Sequence, residues 1–380
     1  MKKRTVLVLM MIIFIFVIVH IPNDGEVKNV LYGERHDIFE TSTNTSRWFF
    51  DKMGHLYPQE SIPNIELSKN KASIKEYYKN NPTAFCLIAA NNKLNFNHYS
   101  DPNFDQLQDK LRFNLLQQVN AKLIDFSSTY ILIHGFRKPI TSQNSTTSAF
   151  LDNLIIKSAI QQNQRNNYFV EIYWDGMYDF FEAHKRNQHL ESFQLFENEA
   201  RTNAIYAGYG LRQMVSQLEV SKMTILSHSL GARVALSCLL NTFDEDVPNN
   251  AQSTPTPSQD TISICLIAPA ISNSPFEEYY DRNTPLKFSE KDNYKLHILY
   301  NEDDIVLKKK ISFIGPGAKK FGDTSLGCNH EQAIEKLKAT FEHKYPASEL
   351  FAIKIPIGHS HLAEHYVLSE QFRSFLDFNE

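Results

Sequence analysis

Short apolar runs alternate with stretches of helical spacing along most of the chain after about residue 80. The runs end in polar or glycine positions, and their lengths are typical of buried strands. They are TYILIHGF (129–136), YFVEIYWDG (168–176), KMTILS (222–227), TISICLIAPA (261–270), YKLHILYNEDD (294–304) and LFAIKIPIGH (350–359). Helical spacing is seen at 105–123, 193–218, 230–240 and 370–378. The alternation predicts an α/β fold, with a mostly parallel central sheet flanked by helices on both faces.

The same pattern of apolar and polar positions divides the chain into three segments. Residues 1–22 carry three cations and then the apolar stretch Val6–Ile21, which is about as long as a minimal membrane-spanning helix. This predicts a signal peptide or a signal-anchor helix, with cleavage left open, and an extracytoplasmic location for the rest of the chain. Residues 23–75 are polar without clear periodicity and are interpreted as a linker. Residues 76–380 form the predicted folded domain, in which TAFCLIAANNKLNFNHYS (83–100) predicts a hairpin.

Charge and cysteine content narrow the classes of function. The 380 residues carry a net charge of −4 and their pI is near 6.4, which argues against nucleic acid as the main partner. The four cysteines show neither CxxC nor metal-ligand spacing. HExxH is absent from the sequence, and the glycines near residue 315 lack the spacing of a phosphate loop. We expect neither a metal nor an organic cofactor.

The stretch TILSHSLGARVAL (224–236) places Ser229 where an apolar strand passes into a helix. A nucleophile on such a turn has a strained backbone that pushes its oxygen clear of the sheet. The positions two before and two after it must be small because strand and helix pass close together, and Ser227 and Gly231 meet this need. The N–H groups at the start of the helix favour developing negative charge.

From this point the sequence, over about residues 80–380, resembles the serine hydrolases of the α/β-hydrolase superfamily, lipase- and esterase-like and exported. In this superfamily the nucleophile stands on a turn called the nucleophile elbow, with the pattern G-x-S-x-G. This sequence departs from it by having Ser227 in place of the first glycine. The resemblance implies a nucleophile, an acid and a histidine in that order. The acid would follow the strand YKLHILY, where Asp304 matches the usual placement better than Asp303.

Three histidines follow the last predicted strand, at the place where the resemblance implies the base. His359 directly follows Gly358 and fits a short loop that reaches back to the elbow, so it is our first choice. His365 would serve if the loop is longer, and His361 is the remaining alternate. His228, beside the nucleophile, is expected to point away from the role of base.

The run LIHGF resembles the turn that supplies one oxyanion donor in this superfamily. The resemblance implies the backbone N–H groups of Phe136 and Leu230 as the two donors. His134 and Gly135 would shape the turn, with Gly135 supplying unusual backbone angles.

The expected function is hydrolysis of a small-molecule carboxylic ester through this triad. The alternatives are a non-catalytic envelope protein of the same fold that binds a lipid or protein partner, and an amidase or thioesterase that uses the same residues. A membrane would be contacted only through an uncleaved N-terminal segment. The segment 176–193 is interpreted as a lid or a core helix, and the segment 244–260 as a surface loop.

Overall fold

The core of the molecule is a seven-stranded sheet in which all neighbouring strands are parallel. The structure, a computed structural model, describes residues 42–58, 73–136, 149–163, 166–176, 196–220, 222–240, 262–272, 293–308 and 325–378. The strands are β1 (Thr45–Phe50), β2 (Ser128–Ile133), β3 (Asn167–Trp174), β4 (Met223–His228), β5 (Ile262–Ile267), β6 (Tyr294–Tyr300) and β7 (Glu349–Lys354). Their spatial order is β1-β3-β2-β4-β5-β6-β7.

Helices cover both faces of this sheet. They are α1 (Ile74–Asn80), α2 (Pro82–Asn91), α3 (Asp101–Leu123), α4 (Ala149–Asn163), α5 (Arg201–Val215), α6 (Gly231–Leu239), α7 (Ala333–Lys344), α8 (Ala363–Val367) and α9 (Glu370–Phe378). Alternate strand residues point to opposite faces: Ile131 and Ile133 join one apolar core, whereas Tyr130 and Leu132 join the other. The first core includes side chains of α3, α5, α6 and α7, and the second those of α4, α8 and α9. The predicted fold class is therefore confirmed for the described residues.

The hairpin predicted at 83–100 is wrong, because Pro82–Asn91 form helix α2. Pro82 stands at the start of the helix, where its missing N–H costs nothing. Phe85, Ile88 and Ala89 bury one side of it, at helical spacing. The Asn92 side chain donates to the Ile88 carbonyl at 3.0 Å, so the asparagines that resembled a turn end a helix instead.

Part of the predicted linker 23–75 belongs to the sheet. Residues Thr45–Phe50 form β1, which pairs in parallel with β3 along its whole length. Trp48 is completely buried. The strand is short and begins with polar residues, so its burial depends on β3, which lies more than 100 positions later and is invisible to local periodicity.

The N-terminal 22 residues, with the predicted signal or anchor, lie outside the described residues, as do 177–193 and 244–260. Within the described part of the chain, no helix combines the length and apolar character needed to span a membrane.

The carboxyl ends of β2, β4, β6 and β7 meet at one edge of the sheet. In open parallel sheets, ligands bind at this edge. The polar residues that sequence analysis singled out follow these four strands, so the topology brings them to one place.

Candidate active site

Ser229 stands on a sharp turn between β4 and α6. Its φ of +52° lies in the left-handed region, which a residue with a side chain rarely adopts. The turn is held by its neighbours: the Ser229 N–H donates to the Ile267 carbonyl at 2.9 Å, and the Ser229 carbonyl accepts from Ala270 N–H at 3.0 Å. The predicted strand–serine–helix turn is present, and its strain is sustained by the end of β5.

Close approach of the backbone explains the small residues around this turn. A Cβ on Gly231 would lie 2.5 Å from the His134 carbonyl oxygen, and one on Gly135 would lie 2.8 Å from the Ser229 Cβ. Ser227 is fully buried, as a small elbow residue should be. Gly135 does not have a positive φ, so the expectation of unusual backbone angles there is corrected: the position requires space.

The His361 ring connects Ser229 to Asp304. Its Nε2 lies 3.0 Å from Ser229 Oγ, and its Nδ1 lies 2.6 Å from Asp304 Oδ2. Because the carboxylate only accepts, Nδ1 carries the proton and Nε2 accepts from the serine hydroxyl. Ser229 and His361 are 7% and 9% exposed, so the pair is nearly shielded from water.

Asp304 is the better of the two acid candidates on geometry. It is completely buried, and its Oδ1 accepts from the backbone N–H groups of Val306 at 2.8 Å and Leu307 at 3.0 Å. These bonds fix the carboxylate and leave Oδ2 for His361. Asp303 turns outward and pairs with Lys308 at 3.3 Å, with its carboxylate exposed.

The preference for His359 as the histidine at the serine is corrected by the structure. His359 is exposed, and its Nδ1–H donates to the Asp303 carbonyl at 3.1 Å. His365 is exposed too, with Nδ1 2.5 Å from Ser360 Oγ. Strand β7 ends at Lys354, earlier than the predicted run 350–359, so the loop that returns to the elbow is longer than expected and brings His361 to Ser229.

Asn301 decides the path of this loop and was missed by sequence analysis. Its side-chain amide donates to the carbonyls of Gly358 at 2.6 Å and Ser360 at 3.1 Å, one on each side of His359. Its Oδ1 accepts from the Asp303 N–H at 3.1 Å. One buried side chain thus ties the acid turn to the histidine loop. The sequence signal that could have identified Asn301 is its position directly after a predicted strand, where site residues are expected.

The His-Gly turn packs beside the serine. The His134 Nδ1–H donates to the Gly135 carbonyl at 2.6 Å, and His134 Nε2 accepts from the Trp174 N–H at 3.2 Å. The Trp174 ring stacks on His134 at 5.5 Å, and its indole N–H donates to the His134 carbonyl at 2.9 Å. The turn is therefore rigidly supported, with Phe136 half-buried at its end and its ring 5.6 Å from Phe196.

Leu230 is the N-cap residue directly before helix α6 and is fully buried. Within the described residues its N–H donates to no acceptor, so it is available to an oxygen bound at the elbow. Both predicted oxyanion donors thus lie on turns adjoining Ser229, and their role stays a prediction.

Two further buried acidic groups shape the electrostatics near this edge. Burial, with help from the charge of Asp51, raises the pKa of Asp175 to about 8. Burial and the charge of Asp304 also raise the pKa of Tyr366. Both groups are therefore predominantly neutral near pH 7 and add little negative charge to this edge of the sheet. Among the described residues, no group of three or more His, Cys, Asp or Glu side chains is arranged to hold a metal ion.

Comparison with known proteins reveals only distant similarity. No protein-family model and no curated protein matches the sequence. The esterase PE8 is 13% identical, with 67% of this chain and 94% of that one covered and a TM-score of 0.37. The Pyrococcus furiosus esterase Pf2001 is 11% identical, with 67% and 82% covered and a TM-score of 0.31. Olei00960, a hydrolase from Oleispira antarctica, is 13% identical, with 66% and 92% covered and a TM-score of 0.28. Structural overlap this small carries no argument, so the functional case depends on the site itself.

Proposed function

We propose that this protein is a serine hydrolase of the α/β-hydrolase superfamily that cleaves a carboxylic ester of a small molecule. One observation carries the proposal: an unbroken hydrogen-bonded series from Ser229 through His361 to Asp304, with the serine on a positive-φ turn at the carboxyl edge of the sheet. These are the residue types, the order and the contacts that nucleophilic acyl transfer needs.

In the proposed reaction, His361 Nε2 takes the proton from the Ser229 hydroxyl as its oxygen attacks the ester carbonyl. The His361 ring then gives this proton to the leaving alcohol, which departs and leaves an acyl-serine. Water, deprotonated by the same nitrogen, releases the acid and restores the serine. Asp304 holds the ring orientation and stabilises the imidazolium that forms twice in the cycle.

The backbone N–H groups of Phe136 and Leu230 are proposed to bind the oxyanion of both tetrahedral intermediates. Their support comes from the close packing of the Gly135 turn on Ser229 and from the position of Leu230 at the helix start. Losing one such donor typically costs about 3 kcal/mol in the barrier.

The decisive test is labelling with a fluorophosphonate probe, followed by mapping of the modified residue. We expect the wild-type protein to be labelled at Ser229 and to turn over a chromogenic short-chain ester. Ser229→Ala should abolish both and keep the wild-type melting temperature. A matched control is Ser237→Ala, a buried serine in α6, which should still be labelled.

A folded wild-type protein that is not labelled would contradict the proposal and favour a non-catalytic binding protein. Labelling at Ser229 with turnover of amides or thioesters, but of no ester in a broad panel, would support the proposed catalytic residues and show that the substrate is not an ester.

An extracytoplasmic location is proposed on residues 1–22 alone, whose cations and apolar stretch suit an export signal or anchor. Protease accessibility of the full chain in intact cells tests it, with protection from protease as the contrary result.

A further inference from the structure

A second buried histidine–aspartate pair lies directly beneath the proposed catalytic series. His228 is the last residue of β4 and is completely buried. Its Nδ1 lies 2.9 Å from Oδ2 of Asp152, which stands in the first turn of α4 and is 5% exposed. The proposed mechanism uses neither residue.

Each ring nitrogen of His228 faces an oxygen acceptor. The His228 Nε2 lies 2.9 Å from the backbone carbonyl of His361, and because a carbonyl only accepts, this nitrogen must carry a proton. The Nδ1 faces a carboxylate oxygen that also accepts from the Gly135 N–H at 3.2 Å. The 2.9 Å contact between Nδ1 and Asp152 Oδ2 therefore contains one proton that the two groups share, and both ring nitrogens of His228 are hydrogen-bonded.

These contacts join three parts of the site that are distant in sequence. His228 adjoins Ser229 on the nucleophile strand, its ring holds the backbone of His361, and Asp152 holds Gly135 on the oxyanion turn. The rings of His228 and His361 also lie 5.1 Å apart, tilted by 43°. The hydrogen bond from His228 Nε2 to the backbone carbonyl of His361 restricts where the His361 ring can lie.

We propose that His228 and Asp152 are positioning residues: together they set the distance from His361 to Ser229, and Asp152 also holds the oxyanion turn. This inference rests on the proposed function. It assigns a defined role to His228, the last residue of β4, which sequence analysis expected only to point away from the role of base.

The experiment compares His228→Phe with His228→Gln. Phenylalanine keeps an aromatic ring and removes both hydrogen bonds, whereas glutamine keeps a donor near the position of Nε2. A misplacement of about 1 Å costs about 10²-fold in rate. We therefore expect kcat for the chromogenic ester to fall ~10- to 100-fold in His228→Phe, with KM little changed, and to recover substantially in His228→Gln.

Asp152→Ala should cost at least as much as His228→Phe because it releases both His228 and Gly135. The double variant His228→Phe/Asp152→Ala should be no worse than Asp152→Ala alone, since the two residues act as a unit. A matched control is His297→Phe, which removes a buried histidine in the middle of β6 that stacks on Phe351, and this variant should keep the wild-type kcat.

A spectroscopic signature makes the test independent of turnover. The short bond from His361 Nδ1 to Asp304 should give a low-field proton resonance, which we expect to shift or broaden in His228→Phe and to be restored in His228→Gln. An unchanged resonance, together with kcat within about twofold of wild type, would overturn the positioning role and leave only a packing role. Suppose that the wild-type protein shows the resonance and that His228→Phe shifts it, but that the wild type is neither labelled nor active. This result would overturn the proposed function while supporting the positioning of His361 by His228.

Discussion

Two clusters of buried charged groups on the same sheet have different structural settings. The first, here called the edge cluster, joins β1, β3 and α4. Arg47 donates to Glu171 Oε2 at 2.8 Å, and Lys157 donates to Glu171 Oε1 at 3.3 Å and to Thr45 Oγ1 at 2.6 Å. Burial lowers the pKa of Lys157, and the Glu171 carboxylate opposes this shift.

The second cluster is the candidate site, formed by Ser229, His361, Asp304, His228 and Asp152. Four of these five residues lie at a strand end, on a turn or on a loop, and Ser229 has a strained backbone. In the edge cluster, by contrast, each charged group is on a regular strand or helix. Burial of charge is common to both, so burial does not mark function by itself.

What separates the clusters is the combination of backbone strain at Ser229 and positions on turns at the carboxyl edge of the sheet. The edge cluster fastens the outermost strand to the sheet, which is a structural task. The candidate site holds a hydroxyl and an imidazole at the carboxyl edge, which is where ligands bind in open parallel sheets. The comparison predicts that mutations in one cluster change stability and that mutations in the other change rate.

The largest effect is expected for His361→Ala. Loss of the base of a serine triad costs ~10⁴- to 10⁶-fold in kcat. His359→Ala, two residues away and exposed, should leave kcat nearly unchanged and serves as the matched control. Steady-state hydrolysis of the ester by both variants checks this, and the reverse ranking would restore His359 as the base.

In the edge cluster, Glu171→Ala should reduce the free energy of unfolding by about 3 kcal/mol because it leaves the buried Lys157 and the half-buried Arg47 without their carboxylate. The folded fraction should keep its kcat. Denaturant unfolding and active-site titration measure the two quantities separately. A large fall in kcat without a loss of stability would contradict the distinction between a structural and a functional cluster.

Asp175 directly follows β3, the strand that carries Glu171, and gives a pH-dependent comparison. Its pKa is raised to about 8, whereas that of an unfolded aspartate is about 3.9. Between these values the folded state retains a proton that the unfolded chain has lost, so stability falls as pH rises from about 4 to 8. Asp175→Asn should remove about 2 kcal/mol of this loss between pH 6 and pH 8. Urea unfolding at both pH values tests it, and an equally steep decline in the variant would refute the assignment.

The smallest effect is expected for Ser227→Ala at the elbow. Among the described residues, the buried Ser227 hydroxyl has no hydrogen-bond partner. Alanine keeps the small size and removes an unsatisfied group, so stability should be unchanged or rise by about 1 kcal/mol, with activity retained. Thermal unfolding provides the measurement, and marked destabilisation would reveal a partner for this hydroxyl.

Local features were predicted from the sequence where local physics decides them. The apolar runs of β2 to β7 became strands, and the small residues around Ser229 marked a close strand–helix turn. The hairpin prediction at 83–100 was wrong because the apolar residues there fit both strand and helix periodicity. The asparagines likewise fit both a turn and the end of a helix. Strand β1 was missed because its burial comes from pairing with β3.

By itself, the sequence determined the parallel α/β layout, the position of the nucleophile turn and the neighbourhood of the acid and histidine, because each depends on adjacent residues. Only the tertiary structure decided that His361 meets Ser229 and that His228 and Asp152 stand behind it. Those contacts join residues 132 and 76 positions apart. Their geometry depends on how Asn301 directs the loop after β7, and no local pattern encodes that path.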